Sequence, residues 1–312
     1  LEGNLKIFSG SSHPELAHEI CDRLKMKPGK VEITKFSNDN LFVQVQENAR
    51  ECDVFVIQTS APPVNEGIFE LLMLLDALRS SSAARTTAVI PAFPYARSDK
   101  KDMPRISITA RLVADLLATA GADRILTMTL HAPQIHGFFC VPTDHLAATP
   151  VLCEHFAKLD LSEFVAVAPD AGSAKRAGTY AQWLNLPLAF VDKRRVGDDN
   201  VEIRGIVGDV KGKKAIIFDD EIATGASLEE SVKALNKCGV EEIHFGATHA
   251  VLSGKAIERI QNLPITEVVV TNTIPVPPEK RIDKIKVLSV APLFAEAIRR
   301  IHTGESVSEL FL

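Results

Sequence analysis

The sequence predicts an α/β protein of two domains, each a mostly parallel sheet flanked by helices. Three observations carry that reading. Short apolar runs alternate with helical patterns of roughly 10–15 residues, which is the pattern of parallel strands joined by crossover helices. The series breaks near residues 146–162 and then starts again. The length, 312 residues, exceeds what one hydrophobic core usually serves. The expected division is 1–146 and 147–312, with a final helix able to pack back onto the first domain.

In the first half, residues 5–8 (LKIF) read as a strand ended by Ser9-Gly10-Ser11-Ser12. A helix follows over 14–24, with Leu16, Ile20 and Leu24 at helical spacing. Residues 31–35 are a second strand, and 41–45 alternate as an edge strand does. Residues 53–58 (DVFVIQ) are a buried strand and 66–80 a helix. The apolar strand 87–93 runs into Tyr95-Ala96-Arg97-Ser98-Asp99-Lys100-Lys101. Residues 106–120 are helical, 124–130 form a strand ending at His131, and 141–145 are extended.

After a helix over 150–158, the second series begins with strand 164–168 and Pro169-Asp170-Ala171-Gly172. Helix 173–184 and strand 188–191 follow. Residues 192–200 (DKRRVGDDN) are polar and charged, and read as an exposed mobile loop. Strands at 201–207 and 215–218 flank the Gly208-Asp209 turn, and a helix covers 228–237. Strand 242–249, helix 254–260, strand 267–271, a proline-rich loop at 274–278, strand 285–289 and helix 292–302 complete the chain. That last helix shows apolar Leu293, Phe294, Ala297 and Ile301.

Hydrophobic residues make up 46% and charged residues 24%, as in ordinary soluble domains. The net charge of −5 implies no general affinity for nucleic acid or acidic lipid. Basic residues cluster only locally, at 97–101 and 193–195, which suits a small anionic ligand. Five cysteines without a C-x-x-C pair read as reduced thiols of a cytoplasmic protein. Residues 1–8 are too short in their apolar part for a signal peptide, and no apolar run is long enough to span a bilayer.

Chemistry is expected at strand ends, where open α/β sheets bind ligands. The richest stretch is 215–227: an apolar strand, then Asp219 and Asp220, then Thr224-Gly225-Ala226-Ser227 opening a helix. Acids suit sugar hydroxyls, and free helix N–H groups suit a phosphate. An ordinary strand–turn–helix with a polar turn is the plain alternative. Arg97, with Asp99, Lys100 and Lys101, suits a polyphosphate or is a solvated turn. His131 is a metal or phosphate contact or a structural histidine. The histidines show no H-x-x-x-H spacing, which speaks against zinc. Asp170 suits Mg2+ or simply caps its helix. Lys193, Arg194 and Arg195 suit a cationic loop closing over a phosphoryl group, or a solvated charge run.

Beyond these local readings, the chain resembles the ribose-phosphate pyrophosphokinase family (phosphoribosyl pyrophosphate synthetases). The matching segments run in order along nearly the whole sequence: Ile7 to His13 (IFSGSSH), Lys35-Phe36-Ser37-Asn38, Pro94 to Lys101 (PYARSDKK), Leu130 to Phe139 (LHAPQIHGFF), Asp192-Lys193-Arg194-Arg195, Thr271 to Pro275 (TNTIP) and Ala295 to Phe311. The resemblance implies two phosphoribosyltransferase-like domains. It implies transfer of the β,γ-diphosphoryl group of ATP to O1 of ribose 5-phosphate, with AMP as the other product. Carried over by position, Asp219 and Asp220 hold ribose hydroxyls, and Thr224, Gly225, Ala226 and Ser227 cradle the 5-phosphate. Arg97, Ser98 and Asp99 lie at the ATP site with His131. Phe36, Asn38 and Asn40 reach the adenine of a neighbouring subunit's ATP. His131 and Asp170 match Mg2+ positions, and Lys193 and Arg195 match a catalytic pair. The resemblance further implies a homo-oligomer, commonly a hexamer, with phosphate activation and ADP inhibition. The matching effector positions are Arg50, Ser80, Ser81, Ser82, Arg85, Ser306 and Ser308.

The chain departs from the pattern at five places. Many members carry Asp at Thr129, Gln at Ser98, an acid at Asn40, Asp at Ala223 and Gly at Ala226. Two other readings compete. A phosphoribosyltransferase explains residues 219–227 but not the N-terminal half. A non-enzymatic regulatory relative of the synthetase would be expected to lose Lys193, Arg195 or His131, and all three are present.

Overall fold

Crossover helices force strands to run parallel, and that constraint builds both halves of the molecule. The computed structural model describes residues 4–195 and 201–311, with the side chains of 193–195, 201–204 and 311 outside the description. The described residues fall into two compact units. One comprises Leu1–Ala147, Thr273–Pro275 and Ser289–Leu312, and the other Ala148–Asn272 and Val276–Leu288.

The first unit opens with β1 (Leu5–Ser9), α1 (Pro14–Arg23), β2 (Val31–Lys35) and β3 (Leu41–Val45). It continues with β4 (Asp53–Ile57), α2 (Val64–Ser80), β5 (Arg85–Ile90), α3 (Thr109–Ala120), β6 (Arg124–Met128) and β7 (Thr143–Leu146). Its sheet has five strands in the order β1-β4-β5-β6-β7, all paired in parallel. Strands β2 and β3 form their own antiparallel ladder, so residues 41–45 edge no larger sheet. Val54, Val56, Ala88 and Ile90 pack with Leu71, Leu74, Val113 and Leu117 from α2 and α3. A run of buried β-branched residues in strands with apolar stripes on helices is what such a layer requires.

The second unit comprises α4 (Thr149–Phe156), β8 (Phe164–Ala168), α5 (Ala174–Leu184), β9 (Leu188–Arg195), β10 (Val201–Val207) and β11 (Lys214–Ile222). It continues with α6 (Ala226–Lys237), β12 (Glu242–Ala250), α7 (Ala256–Asn262), β13 (Glu267–Thr271) and β14 (Ile285–Leu288). The order is β10-β9-β8-β11-β12-β13-β14, and only the β9–β10 edge is antiparallel. Tyr180 stacks on Phe218 with ring centroids 4.2 Å apart, and Phe156 meets Phe218 edge-on at 5.6 Å. These rings fix α5 and α4 over the strand that carries the acidic pair.

Two expectations change. Residues 192–195 are strand rather than loop: β9 runs to Arg195 and pairs with β10 from Val201↔Arg195 to Val207↔Phe190. Main-chain pairing makes a strand there without an apolar sequence, as an edge hairpin permits. The remainder of that expected loop, 196–200, lies outside the described residues. The strand expected over 215–218 continues through the acids to Ile222.

Helix α8 (Ala291–Thr303) closes the chain's return to the first unit, where it packs on α1. Arg85 holds Asp53 through two bonds, of 2.8 and 2.6 Å, and donates to the Ile301 carbonyl at 2.9 Å. His302 Nδ1 stands 2.9 Å from the same Asp53. On the helix surface Glu296 accepts from Arg299 and Arg300, whose hydrogen bonds lower its pKa to about 2. Folding depresses this carboxyl, so its stabilisation is present above the unfolded value of about 4.3 and is lost as pH falls through about 2. Glu296→Gln should therefore cost about 1 kcal/mol at pH 7 after solvent screening. Denaturation of wild type and variant across pH should show that difference shrinking to nothing near pH 2.

Candidate active site

Strand β11 reaches the site because its first half is buried on both sides. Ala215, Ile216, Ile217 and Phe218 pair with β12, and as far as Ile217↔Val167 also with β8. Beyond that point β8 pairing ends while β12 continues, with Asp219↔Ala247 and Glu221↔His249. The acids are thus held at the carboxyl end of a strand braced on one edge. Asp220 is 3% exposed and Asp219 half-buried.

Arg176, in the first turn of α5, joins them. Its Nη1 lies 2.6 Å from Asp220 Oδ1 and 3.4 Å from Asp219 Oδ1, while the Asp220 N–H donates to Asp219 Oδ1 at 2.9 Å. Burial, and then the neighbouring Asp220, push Asp219 well above the usual carboxylate range, and Arg176 offsets only part of this. Two adjacent carboxyl groups, one of them paired with an arginine, present several oxygens that can meet vicinal hydroxyls.

The strand then turns into α6. Gly225 adopts φ +75°, ψ 3° as the residue preceding the helix. A Cβ there would lie 3.5 Å from Ala256 Cα, an ordinary contact, so it is the left-handed backbone that calls for glycine. The Gly225 carbonyl accepts from Glu229 N–H at 2.9 Å, the first helical bond. The helix starts at Ala226, two residues earlier than the periodicity predicts, because Ala226 and Ser227 satisfy helical geometry without contributing to the apolar stripe. Thr224 and Ser227 are exposed, and Ala226 is half-buried. Main-chain N–H groups at the start of a helix, with no acceptors inside it, form an anion site.

Asp170 caps the turn before α5: its Oδ1 accepts from Ser173 N–H at 2.8 Å and from Ser173 Oγ at 3.0 Å. Its other oxygen has no hydrogen bond among the described residues. A hard divalent cation whose shell is completed by phosphate oxygens needs only one or two protein carboxylates, and this oxygen fits that role. Among the described residues, no group of three His, Cys, Asp or Glu is arranged to hold a metal by itself. Lys193 and Arg195 lie on β9 in the main chain, while their side chains fall outside the described residues.

In the first unit, the turn after β5 carries exposed Arg97, half-buried Ser98 and buried Asp99. Ser98 N–H donates to Tyr95 O at 2.8 Å, and the Ser98 carbonyl takes Ala110 N–H at 3.2 Å, which pins the turn to α3. Gln134 donates to Asp99 and brings the 130–138 segment against this turn. His131, half-buried, follows Thr129, whose φ of +43° bends the chain at the end of β6. Phe36, Asn38 and Asn40 occupy the β2–β3 turn. Phe36 is 56% exposed and meets Phe42 edge-on at 5.7 Å, and Asn38 accepts from Asn40 N–H at 3.3 Å. A hollow of 650 Å³ beside them is lined by Lys35, Asp39, Asn40, Asn65, Glu66 and Phe69, among others. The Tyr95 hydroxyl donates to Asn65, linking that hollow to the turn bearing Arg97.

The residues matched to effector sites are distributed around the end of α2 and the segment after α8. Arg50 and Ser80 to Ser82 are exposed, and Ser82 O accepts from Glu51 N–H at 2.9 Å. Arg85 is engaged by Asp53 and α8. Ser306 O accepts from Arg300 at 2.8 Å, and Ser308 N–H donates to Ser306 Oγ at 3.2 Å. Sequence reasoning missed Arg176, Gln134 and also Arg259, whose Nη1 donates to the Thr224 carbonyl at 2.7 Å, as site-building residues. Only Arg176 carried a signal, three residues into the helix that opens after Asp170.

Residues 5–121 match the N-terminal domain of ribose phosphate pyrophosphokinase, and residues 202–312 match the phosphoribosyl synthetase-associated domain. The ribose-phosphate pyrophosphokinase of Deinococcus radiodurans is 53% identical over 98% of this chain and 98% of its own. That of Clostridium acetobutylicum is 51% identical over 99% of this chain and 97% of its own. The phosphoribosylpyrophosphate synthetase of Mycobacterium smegmatis superposes with a TM-score of 0.92 at 41% identity, covering 97% of this chain and all of that one (100%). With a fold shared along its whole length and relatives this similar, the chain belongs to the ribose-phosphate pyrophosphokinase family.

Proposed function

We propose that the chain is a ribose-phosphate diphosphokinase, converting ATP and ribose 5-phosphate into 5-phosphoribosyl 1-diphosphate and AMP. The observation that carries this reading is the order along β11 and α6: a paired Asp219–Asp220, then a left-handed Gly225 opening a helix N-terminus. That order sets hydroxyl-binding acids one turn from a phosphate-binding main chain, as a sugar phosphate needs. Family membership along the whole chain supplies the second substrate and the reaction.

The ribose O1 attacks the β-phosphorus of ATP. The bond from that phosphorus to the bridging oxygen breaks, AMP leaves with the oxygen, and the O1 proton passes to solvent. No protein nucleophile is required, so catalysis is positioning and charge neutralisation. Asp219 and Asp220 hold the ribose hydroxyls and aim O1. Thr224 to Ser227 hold the 5-phosphate, with Ala223 and Ala226 leaving most of that task to main-chain N–H groups and two hydroxyls. Lys193 and Arg195 meet the charge on the transferring group. Arg97, Ser98, Asp99 and His131 serve ATP, and Phe36, Asn38 and Asn40 reach the adenine of a neighbouring subunit. Asp170 and His131 are the residues that would hold Mg2+, which when bound screens and aligns the phosphate oxygens.

The same reading makes the protein a homo-oligomer, a hexamer, working in the cytoplasm. Phosphate would activate it and ADP inhibit it through Arg50, Ser80 to Ser82, Arg85, Ser306 and Ser308. No helix among the described residues is long and apolar enough to cross a membrane.

A coupled assay for AMP tests the reaction. AMP should appear only when ATP, ribose 5-phosphate and Mg2+ are all present. Silence across metal and phosphate conditions, with an active control enzyme, would favour the regulatory-relative reading instead. Lys193→Ala should lower turnover on the order of 10³-fold while ribose 5-phosphate affinity changes little, since its contact belongs to the transition state. Steady-state kinetics showing near-normal turnover would remove the lysine from the mechanism.

A further inference from the structure

We infer that Arg259 is the positioning residue of the phosphate loop: held by Glu229, it locks the Thr224–Gly225 peptide so that the Gly225 N–H faces the 5-phosphate. The inference rests on the ribose 5-phosphate reading and assigns a role to two residues that reading leaves idle.

Arg259 lies on α7, and its guanidinium makes two different bonds. Nη1 donates to the Thr224 carbonyl at 2.7 Å, and Nε lies 3.0 Å from Glu229 Oε2 on α6. Glu229 is in turn held by Lys233 at 2.6 Å, and its carboxyl is lowered first by that lysine's hydrogen bond. The planar fork of an arginine fixes direction at both bonds, which a lysine ammonium cannot do.

The consequence follows from peptide geometry. In a trans peptide the C=O and the following N–H point in opposite directions. Holding the Thr224 carbonyl toward α7 therefore turns the Gly225 N–H away from α7. Glycine at φ +75° tolerates either orientation of that peptide, so its own backbone does not choose. The next carbonyl, Gly225 O, is already taken by Glu229 N–H at 2.9 Å. The loop is also sewn to the end of β12, where Leu252 N–H donates to Ile222 O and Ser253 N–H to Ala223 O, both at 2.9 Å. Arg259 supplies the restraint at the one peptide between those two anchors. This matters more here because Ala223 brings no carboxylate to the loop and the phosphate is left to main-chain donors.

The test uses the full-length enzyme with Arg259→Met, Arg259→Lys, Glu229→Gln and the Arg259→Met/Glu229→Gln double variant. Ribose 5-phosphate KM should rise tenfold or more in Arg259→Met, with ATP KM within twofold of wild type. Arg259→Lys should recover only part of the loss, and Glu229→Gln should shift the same constant less. The double variant should be no worse than Arg259→Met alone, because both act through one contact. Equal changes in both KM values, or none, would overturn the assignment, since general loosening of the unit does not single out one substrate. Calorimetric titration with ribose 5-phosphate separates this from the activity itself. If wild type binds the sugar phosphate but releases no AMP, the proposed reaction fails while weaker binding by Arg259→Met still supports the clamp. Wild-type affinity in that variant overturns the clamp even where AMP is formed.

Discussion

The geometry of the second unit depends on one guanidinium set against two adjacent carboxylates. Consecutive acids at the end of a buried strand repel each other and lose hydration, and burial alone already raises Asp219. Arg176 makes the arrangement tolerable by bonding Asp220 at 2.6 Å while remaining within 3.4 Å of Asp219. The contact ties α5 to β11 beside the ring stack of Tyr180 on Phe218. The helix that carries Arg176 also begins directly after the turn that Asp170 fixes through Ser173. The candidate metal carboxylate and the acids proposed to hold the sugar are therefore linked through the same element.

The first unit shows the contrasting solution to a similar turn. After β1, Ser11 donates through N–H and Oγ to Glu70 at 2.6 and 2.7 Å, and Ser12 donates through both groups to Gln58. Gln58 completes the network by donating to Glu70 at 2.8 Å. A resident carboxylate thus occupies the donors that could otherwise meet an external anion. The turn after β11 is held differently. Its carbonyls are fastened, by Arg259 at Thr224 and by Glu229 N–H at Gly225.

Most of the architecture is legible in the sequence because parallel strands buried on both faces are short apolar runs, and nearly every such run became a strand. Asp219, Asp220 and Gly225 are legible for the same reason, standing where an apolar run meets a small-residue turn. Strand β11 passing through the acids to Ile222 is not, since β12 supplies main-chain partners that no side-chain pattern announces. The hairpin end of β9 is hidden in the same way by its charged side chains. Arg176 and Arg259 escape because each acts 35 or more residues away from the group it holds: 44 from Asp220 and 35 from Thr224. A basic residue on a helix carries no local mark of what it will reach. The return of α8 to the first unit was readable only as an apolar stripe in need of a partner; Arg85 and Asp53 are what fix where it lands.

Binding of ribose 5-phosphate to Asp220→Asn, measured by calorimetry beside wild type, tests most directly whether the acid pair is the sugar site. Asparagine keeps the shape and removes the charge, and a lost charged hydrogen bond should weaken binding by at least about tenfold with the helical content unchanged. Wild-type affinity in the folded variant would contradict the assignment of the pair to the ribose hydroxyls.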